Sequence, residues 1–452
     1  MIRRWQDAPG ALAVAWLART GPLIPVLAAI VLGLWRGGEK SIWLDEAVSV
    51  AIARLPTLDM LLYLWRNELH AAPYYVLLHP WLAIGEGEAA VRALSVIFGV
   101  LAVLATYAIG RRYGVGLPAA LILAVLPTFI QYEQEARGYT LLMAVSAMAT
   151  LLFLRMVERP ALTRSALYVG IAGLAIYVHP LAALVIAAHV LAVLLFQPPT
   201  ERRRLLAVFL PVGLAWLPMV RFALANRDRV SWIPPATPEL VTEHLLVLGG
   251  GLLVSLVLLA LIVAGARRDA LLLWLLVPIV GTLAISLVVQ PTFQARSLVS
   301  VLPAAALIAA RSRPALIALL VAVSLGGVWS WYEHGQKEDW RAIAAHVSSQ
   351  VEPRDGIVFA PPYLRVPFGY YARVGIPIYP SADWAEHDLA RTAFDPSLMA
   401  AIDRIWLIEG HGVPMPDEVR GALDGYSPVS SRGFDVHGLK VTLLARLGPA
   451  GP

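Results

Sequence analysis

Long apolar windows recur through the first three quarters of this sequence and decide the class of fold before any single residue is considered. They fall near 20–35, 93–110, 114–130, 138–157, 165–178, 181–196, 205–220, 244–265, 270–289, 297–310 and 315–331. Inside hydrocarbon a peptide group has no water to bond to, so a crossing segment must satisfy its own backbone. Apolar runs of this kind therefore read as membrane-spanning helices. The expectation is a polytopic α-helical membrane protein with about eleven spans, several of them short. Composition agrees: 58% of the 452 residues are hydrophobic and 15% are charged, outside the range of soluble globular domains. The first window follows Arg3, Arg4 and Arg19 and lacks a small-residue cleavage site, so it reads as a retained span.

Charge placement orders the spans. Residues 1–332 hold 25 Lys and Arg against 16 Asp and Glu, and the rest hold 11 against 15. The basic excess thus belongs to the membrane part, where it reports topology and argues against nucleic acid as a partner. Pro73 to Ile84, interrupted by His79-Pro80 and rich in aromatics, is too short to span and reads as a helix on the membrane surface. Leaving it out places Arg111 and Arg112, Arg155, Arg159 and Arg164, Arg202 to Arg204, Arg267 and Arg268, and Arg311 and Arg313 on the cytoplasmic side. The outer connections after the first keep only Arg137, Arg221, Arg227, Arg229 and Arg296. The expected orientation is N-terminus inside and C-terminus outside.

Two domains follow. Residues 1–332 form the membrane domain, with a long first outer loop at 36–92 carrying surface helices around 45–53, 57–67 and 73–83. Residues 333–452 form a small α/β domain outside, since strand-like runs (Gly356–Ala360, Ile405–Ile408, Val441–Ala445) alternate with helix-like ones (Glu338–Ser349, Asp417–Leu423). The chain has no Cys, which excludes disulfides and thiolate metal sites.

The chemistry-bearing residues gather on the outer connections. Ser41-Ile42-Trp43-Leu44-Asp45-Glu46-Ala47 puts two adjacent carboxylates at the membrane edge with no neighbouring Lys or Arg in the chain, a costly place for charge and hence a candidate site. The alternative is a solvated helix start, where acids favour the positive end of the helix. On the same side lie His70 and His79, the run Gln131-Tyr132-Glu133-Gln134-Glu135-Ala136-Arg137-Gly138-Tyr139, Tyr177-Val178-His179-Pro180, and Gln290 to Arg296. Glu135 and Arg137 could instead be a local ion pair capping a helix, His179 a neutral residue satisfied at a helix end, and Arg296 an interfacial snorkelling side chain. Trp340 and Tyr363 read as buried packing, with acceptor contact as the other use.

Taken in order, Trp43-Leu44-Asp45-Glu46-Ala47, His70-x-x-Pro73-Tyr74-Tyr75-x-x-Leu78, Glu88-x-x-x-Arg92-x-x-Ser95, Gln134-Glu135-Ala136-Arg137-x-Tyr139 and His179-Pro180 resemble the membrane glycosyltransferases of the GT-C fold. The resemblance is to the branch with the protein O-mannosyltransferases and the lipid A aminoarabinose transferases. It covers roughly residues 20–300, with Glu338-Asp339-Trp340-Arg341 a further family-like patch; the C-terminal domain has no close match. It implies a polyprenyl-phosphate sugar donor, an envelope lipid, glycan or protein acceptor, a site at the outer surface of the cytoplasmic (inner) membrane, and inversion at the anomeric carbon. By this resemblance Asp45 is the catalytic base with Glu46 beside it, and Glu135 is the second acid.

The chemistry asks for the same groups. A carboxylate must take the acceptor hydroxyl's proton, and a cation must stabilise the departing lipid phosphate; Arg137 and Arg296 are the candidates. His70, Tyr74, His79, Tyr139 and His179 are the expected substrate contacts. No cofactor is assigned. A divalent cation stays an alternative, because Asp45, Glu46, Glu135, His79 and His179 are suitable ligand types, although no compact ligand motif is present. The competing class is a flippase for lipid-linked sugars, which would place charges within the spans and show paired halves; the spans here are almost free of charge. The sugar-transfer reading expects the two acids and a guanidinium to converge on one outward-facing pocket.

Overall fold

The computed structural model describes residues 21–227, 232–379, 402–434 and 438–447. Arg3, Arg4, Arg19 and Arg229, which entered the topology argument, lie outside them. The chain divides into two compact units: Met1–Gly37, Leu64–Ala83 and Ala89–His334 in one, Gly38–Tyr63, Ile84–Glu88 and Gly335–Pro452 in the other.

The first unit is helical. Each apolar window of the sequence coincides with an apolar helix or a broken pair of helices. Among the described residues, Glu88–Arg112, Tyr139–Glu158, Ala270–Val288 and Pro314–His334 are long and apolar enough to cross a membrane. Three bent pairs raise the number to seven if each counts as one span, and Leu23–Leu34, Leu162–Val178, Ala182–Phe196 and Val299–Ala309 are shorter apolar helices.

The breaks were read from sequence as continuous windows, and each has a local cause. Gly116–Val125 meets Pro127–Glu133 at 65° because Leu126 is extended before the proline (φ −64°, ψ 130°). Pro238–Gly249 meets Leu252–Gly265 at 84° through Gly250 and Gly251, both at positive φ (94° and 101°). Pro199–Ala215 meets Leu217–Ala225 at 44° where Pro218 enters the second helix. The unbroken face of Leu252–Gly265 exposes Leu252, Leu253, Leu256, Leu259 and Val263, an apolar surface that lipid would cover. Its other face closes on a neighbour so tightly that a Cβ on Gly265 would sit 2.1 Å from the Ile308 carbonyl oxygen, the close approach small residues allow in membrane bundles.

The second unit is built on a five-stranded mixed sheet: β1 Asp355–Ala360, β2 Ile378–Tyr379, β3 Arg404–Glu409, β4 Tyr426–Gly433 and β5 Lys440–Arg446, in the order β2-β1-β3-β5-β4. β1 pairs in parallel with β2 and β3, and β5 runs antiparallel to β3 and β4. Every residue of β1 is buried, as a strand covered on both faces must be. One face packs Ile357, Phe359, Trp406 and Ile408 against the helix Trp340–Ser348. The other packs Val358, Ile405 and Leu407 against Val419 and Leu423 of the helix Asp417–Leu423. Asp339 caps the first of these helices, accepting from the Ala342 amide at 3.1 Å. β2, β4 and the helix Arg365–Tyr371 were not visible as sequence runs.

Segments of the first outer loop belong to this unit. The Tyr371 hydroxyl accepts from the Ile42 amide at 2.7 Å and donates to Glu88 at 2.9 Å. Arg341 pairs with Glu88 at 2.5 Å and donates to the Gly38 and Glu39 carbonyls. The loop's helices lie at Leu44–Ala53, Thr57–Asn67 and Ala72–Trp81, within a residue or two of their expected places.

Candidate active site

In the helical unit the site residues sit where regular backbone stops. Helix Pro127–Glu133 ends and Tyr139–Glu158 begins after five intervening residues, and the intervening turn is tied down on both sides. The Gln134 amide nitrogen donates to the carbonyls of Gly33 (3.3 Å) and Trp35 (2.7 Å), and its oxygen accepts from the Trp331 indole at 2.9 Å. The Ser95 hydroxyl donates to the Glu135 carbonyl at 2.6 Å and bonds the Tyr74 hydroxyl at 3.0 Å. Buried backbone groups outside a helix need such partners. Tyr74 is thus engaged in holding the turn, and its neighbour Tyr75 meets Arg137, whose Nη1 donates to the Tyr75 hydroxyl at 2.9 Å. Tyr139 is buried with its ring 4.7 Å from that of Tyr132.

Arg137, Arg296, His70 and His179 share one electrostatic neighbourhood. Desolvation pushes the His179 imidazolium down to about 3, and the charges of His70, Arg296 and Arg137 act in the same direction. His179 is therefore neutral at physiological pH, its Nδ1 accepting from the Leu181 amide at 3.2 Å. That assignment leaves the proton on Nε2. Arg296 is aligned by Gln294, which accepts from its Nε at 2.8 Å, and by the Trp232 ring, whose centroid lies 5.0 Å from the guanidinium carbon. His70 stacks on Phe222 at 5.9 Å and lies 3.6 Å from the Glu68 carboxylate. Glu135 is 5% exposed, and the charges of both Glu135 and Arg296 act on buried Tyr132. His79 is half-buried, one helical turn beyond Tyr75. Glu133, two residues before Glu135, is fully buried in the bundle beside Gly33 and Gly99.

Asp45 and Glu46 belong to the second unit, at the first turn of the helix Leu44–Ala53. The two acids differ sharply. Glu46 is fully buried, its Oε2 3.1 Å from Lys337 Nζ and 3.4 Å from the Trp43 amide that precedes the helix. Asp45 is half-buried. Lys337 is the cationic partner that the local sequence lacks. Beside it, Glu338 accepts from the Leu44 amide at 3.0 Å and from His411 Nε2 at 2.9 Å. Trp340 is buried with its indole on Glu338, and Tyr363 bonds His411 Nδ1 at 3.2 Å. Lys337 and His411 were not singled out from sequence; Tyr75, Gln294 and Glu338 stood within quoted motifs or runs but were given no role. Among the described residues no group of three or more His, Cys, Asp or Glu is arranged to hold a metal ion.

A helical bundle with broken spans, cations clustered at an irregular turn and a small mixed-sheet unit define an integral membrane protein with a GT-C type fold. The comparisons narrow this. A family model described as dolichyl-phosphate-mannose-protein mannosyltransferase matches residues 73–225, a stretch that contains Tyr75, Glu135, Arg137, Tyr139 and His179. ArnT from Cupriavidus metallidurans in the apo state superposes with a TM-score of 0.62 at 14% identity, covering 96% of this chain and 98% of that one. The same protein bound to undecaprenyl phosphate gives 0.58 at 14% identity, with 98% and 100% covered. These matches agree with the resemblance drawn from the motifs. No curated protein sequence matches the chain.

Proposed function

We infer that this protein is a glycosyltransferase that moves a sugar from a polyprenyl-phosphate donor to a hydroxyl of an envelope lipid, glycan or protein. It works at the outer face of the cytoplasmic membrane, through eleven spans with the N-terminus inside and residues 333–452 outside. The observation that carries the reading is the gathering of Arg137, Arg296, His70 and His179 around an irregular turn between apolar helices. A lipid phosphate is the ligand that needs both the cations and the apolar surroundings. The likeness to a structure bound to undecaprenyl phosphate supports the same donor class.

In this reaction the acceptor oxygen attacks the anomeric carbon as Asp45 takes its proton, and the bond from that carbon to the phosphate oxygen breaks on the opposite face. The configuration inverts. The leaving phosphate passes from a diester with one charge to a monoester approaching two, and the Arg137 and Arg296 guanidiniums stabilise the charge that grows. Neutral His179 donates from Nε2 without adding charge, and Glu135 orients the sugar's hydroxyls. Glu46, spent on Lys337, holds the Asp45 turn rather than taking the proton. His70, His79 and Tyr139 complete the donor contacts.

The test uses purified full-length protein, radiolabelled polyprenyl-phosphate sugars and crude envelope acceptor, comparing the native chain with Asp45→Asn. Transfer by the native chain and its loss in the variant support the reading. Equal transfer removes Asp45 as base, and lipid translocation without transfer replaces the enzyme by a flippase.

A further inference from the structure

We propose that Glu338 is a positioning residue for Asp45, gripping the first turn of the helix that carries it. The proposal deepens the reading of Asp45 as the base and rests on it.

A helix start leaves its first amides without intrahelical partners. Here Trp43 precedes the helix and offers no side-chain oxygen to cap it. Two acids fill the role. Glu46, one turn in, reaches back to the Trp43 amide, and Glu338, 294 residues away, accepts from the Leu44 amide at 3.0 Å. Leu44 precedes Asp45, so this bond fixes the Trp43–Leu44 peptide, one residue before the Cα from which the Asp45 side chain departs. Lys337 secures Glu46 at the same turn. Consecutive residues of one irregular segment thus hold two points of the turn, with Asp45, half-buried, between them.

Glu338 is itself over-determined. Its Oε2 also accepts from the Trp340 indole at 2.6 Å, and its Oε1 from His411 Nε2 at 2.9 Å. Burial alone would raise its carboxyl, but the bonds from His411 and Trp340, the His411 charge and the Leu44 amide hold it below the ordinary 4.5. It is ionised at neutral pH and complements the positive end of the helix. His411 has φ 61° and Gly412 φ 63°. A non-glycine residue in that region is strained and persists where its surroundings demand it, and the Tyr363 ring stacked at 5.7 Å with its hydroxyl on Nδ1 fixes the imidazole on Glu338. Rotation of a general base by a small angle costs rate and not donor affinity, because the donor does not bind through it.

The experiment compares native full-length protein with Glu338→Gln and Trp340→Phe, reading steady-state sugar transfer, the thermal midpoint and amide hydrogen exchange over residues 43–48. Glu338→Gln is expected to lower kcat on the order of 10- to 100-fold, with KM for the polyprenyl-phosphate sugar unchanged, and to speed exchange at 43–48 ahead of the rest of the sheet unit. Trp340→Phe, which keeps the packing, gives a smaller change of the same kind and serves if Glu338→Gln does not fold. Native kcat in both variants overturns the proposal, as does unaltered exchange at 43–48. Should Asp45→Asn transfer sugar normally, the base reading fails by itself, and exchange still decides whether Glu338 grips the helix.

Discussion

Lys337 and Glu46 are 291 residues apart in the chain and 3.1 Å apart in the fold, with 6% and none of their side-chain surfaces exposed. An ion pair so far from water is weak evidence for net stability, yet breaking it is costly because the survivor is left charged and buried. Lys337→Met is expected to destabilise the sheet unit by about 3–5 kcal/mol. Lys337→Met with Glu46→Leu should recover most of that loss. Chemical denaturation of the full-length protein in detergent, followed by tryptophan fluorescence, checks both; equal stability of the single variant and the native chain would refute the account.

Arg137 Nη1 donates to the Tyr75 hydroxyl at 2.9 Å. If it grips the donor phosphate, Arg137→Ala loses a charge-assisted bond worth about 1.5–3 kcal/mol, or roughly 10- to 100-fold in affinity for polyprenyl phosphate. Arg137→Lys should recover only part, since an ammonium lacks the planar fork. Calorimetric titration with polyprenyl phosphate measures it, and undiminished binding by Arg137→Ala removes Arg137 from the donor site.

His179 sits near 3, well below the ordinary 6.5 for the unfolded chain. Between these values the unfolded state binds the proton and the folded state does not, so stability rises with pH across this interval. It is fully present above about 6.5 and declines as pH falls toward 3. His179→Gln, which cannot titrate, should flatten the decline of the thermal midpoint between pH 6.5 and 4.5. A parallel decline in the variant would show that other groups carry it.

Gly99 and Glu133 are in contact through missing atoms: a Cβ on Gly99 would lie 2.0 Å from Glu133 Oε1. Neither Glu133 carboxylate oxygen has a hydrogen-bond partner among the described residues. Gly99→Ala is expected to cost about 1–3 kcal/mol by overpacking. Adding Glu133→Ala should relieve it, which a thermal-shift series on single and double variants in detergent would detect as non-additivity.

Much of this architecture was open to reading because its cause is local. The length of apolar runs located the helical windows, the interrupted Pro73–Ile84 piece became the short helix Ala72–Trp81, and three strand-like runs became β1, β3 and β5. The breaks at Leu126, Gly250 and Trp216 were missed because a window average hides a single proline or glycine. β4, largely exposed, has no apolar signal to find. Residue type marked Asp45, Glu135, Arg137 and Arg296 as candidates, while Lys337 and His411 carried no mark, since nothing nearby in the chain distinguishes them.

What the chain's own letters determined is the membrane character, the helical windows, and which ionisable residues lie on the irregular segments between them, all consequences of transfer free energy and backbone satisfaction acting over a few turns. Only the tertiary structure decided that Glu46 is fully buried on Lys337 while Asp45 is half-buried, and that Glu338 and His411 stand at the start of their helix. Those assignments depend on partners hundreds of residues distant, and charge pairing in a buried place is settled by geometry that no local pattern encodes.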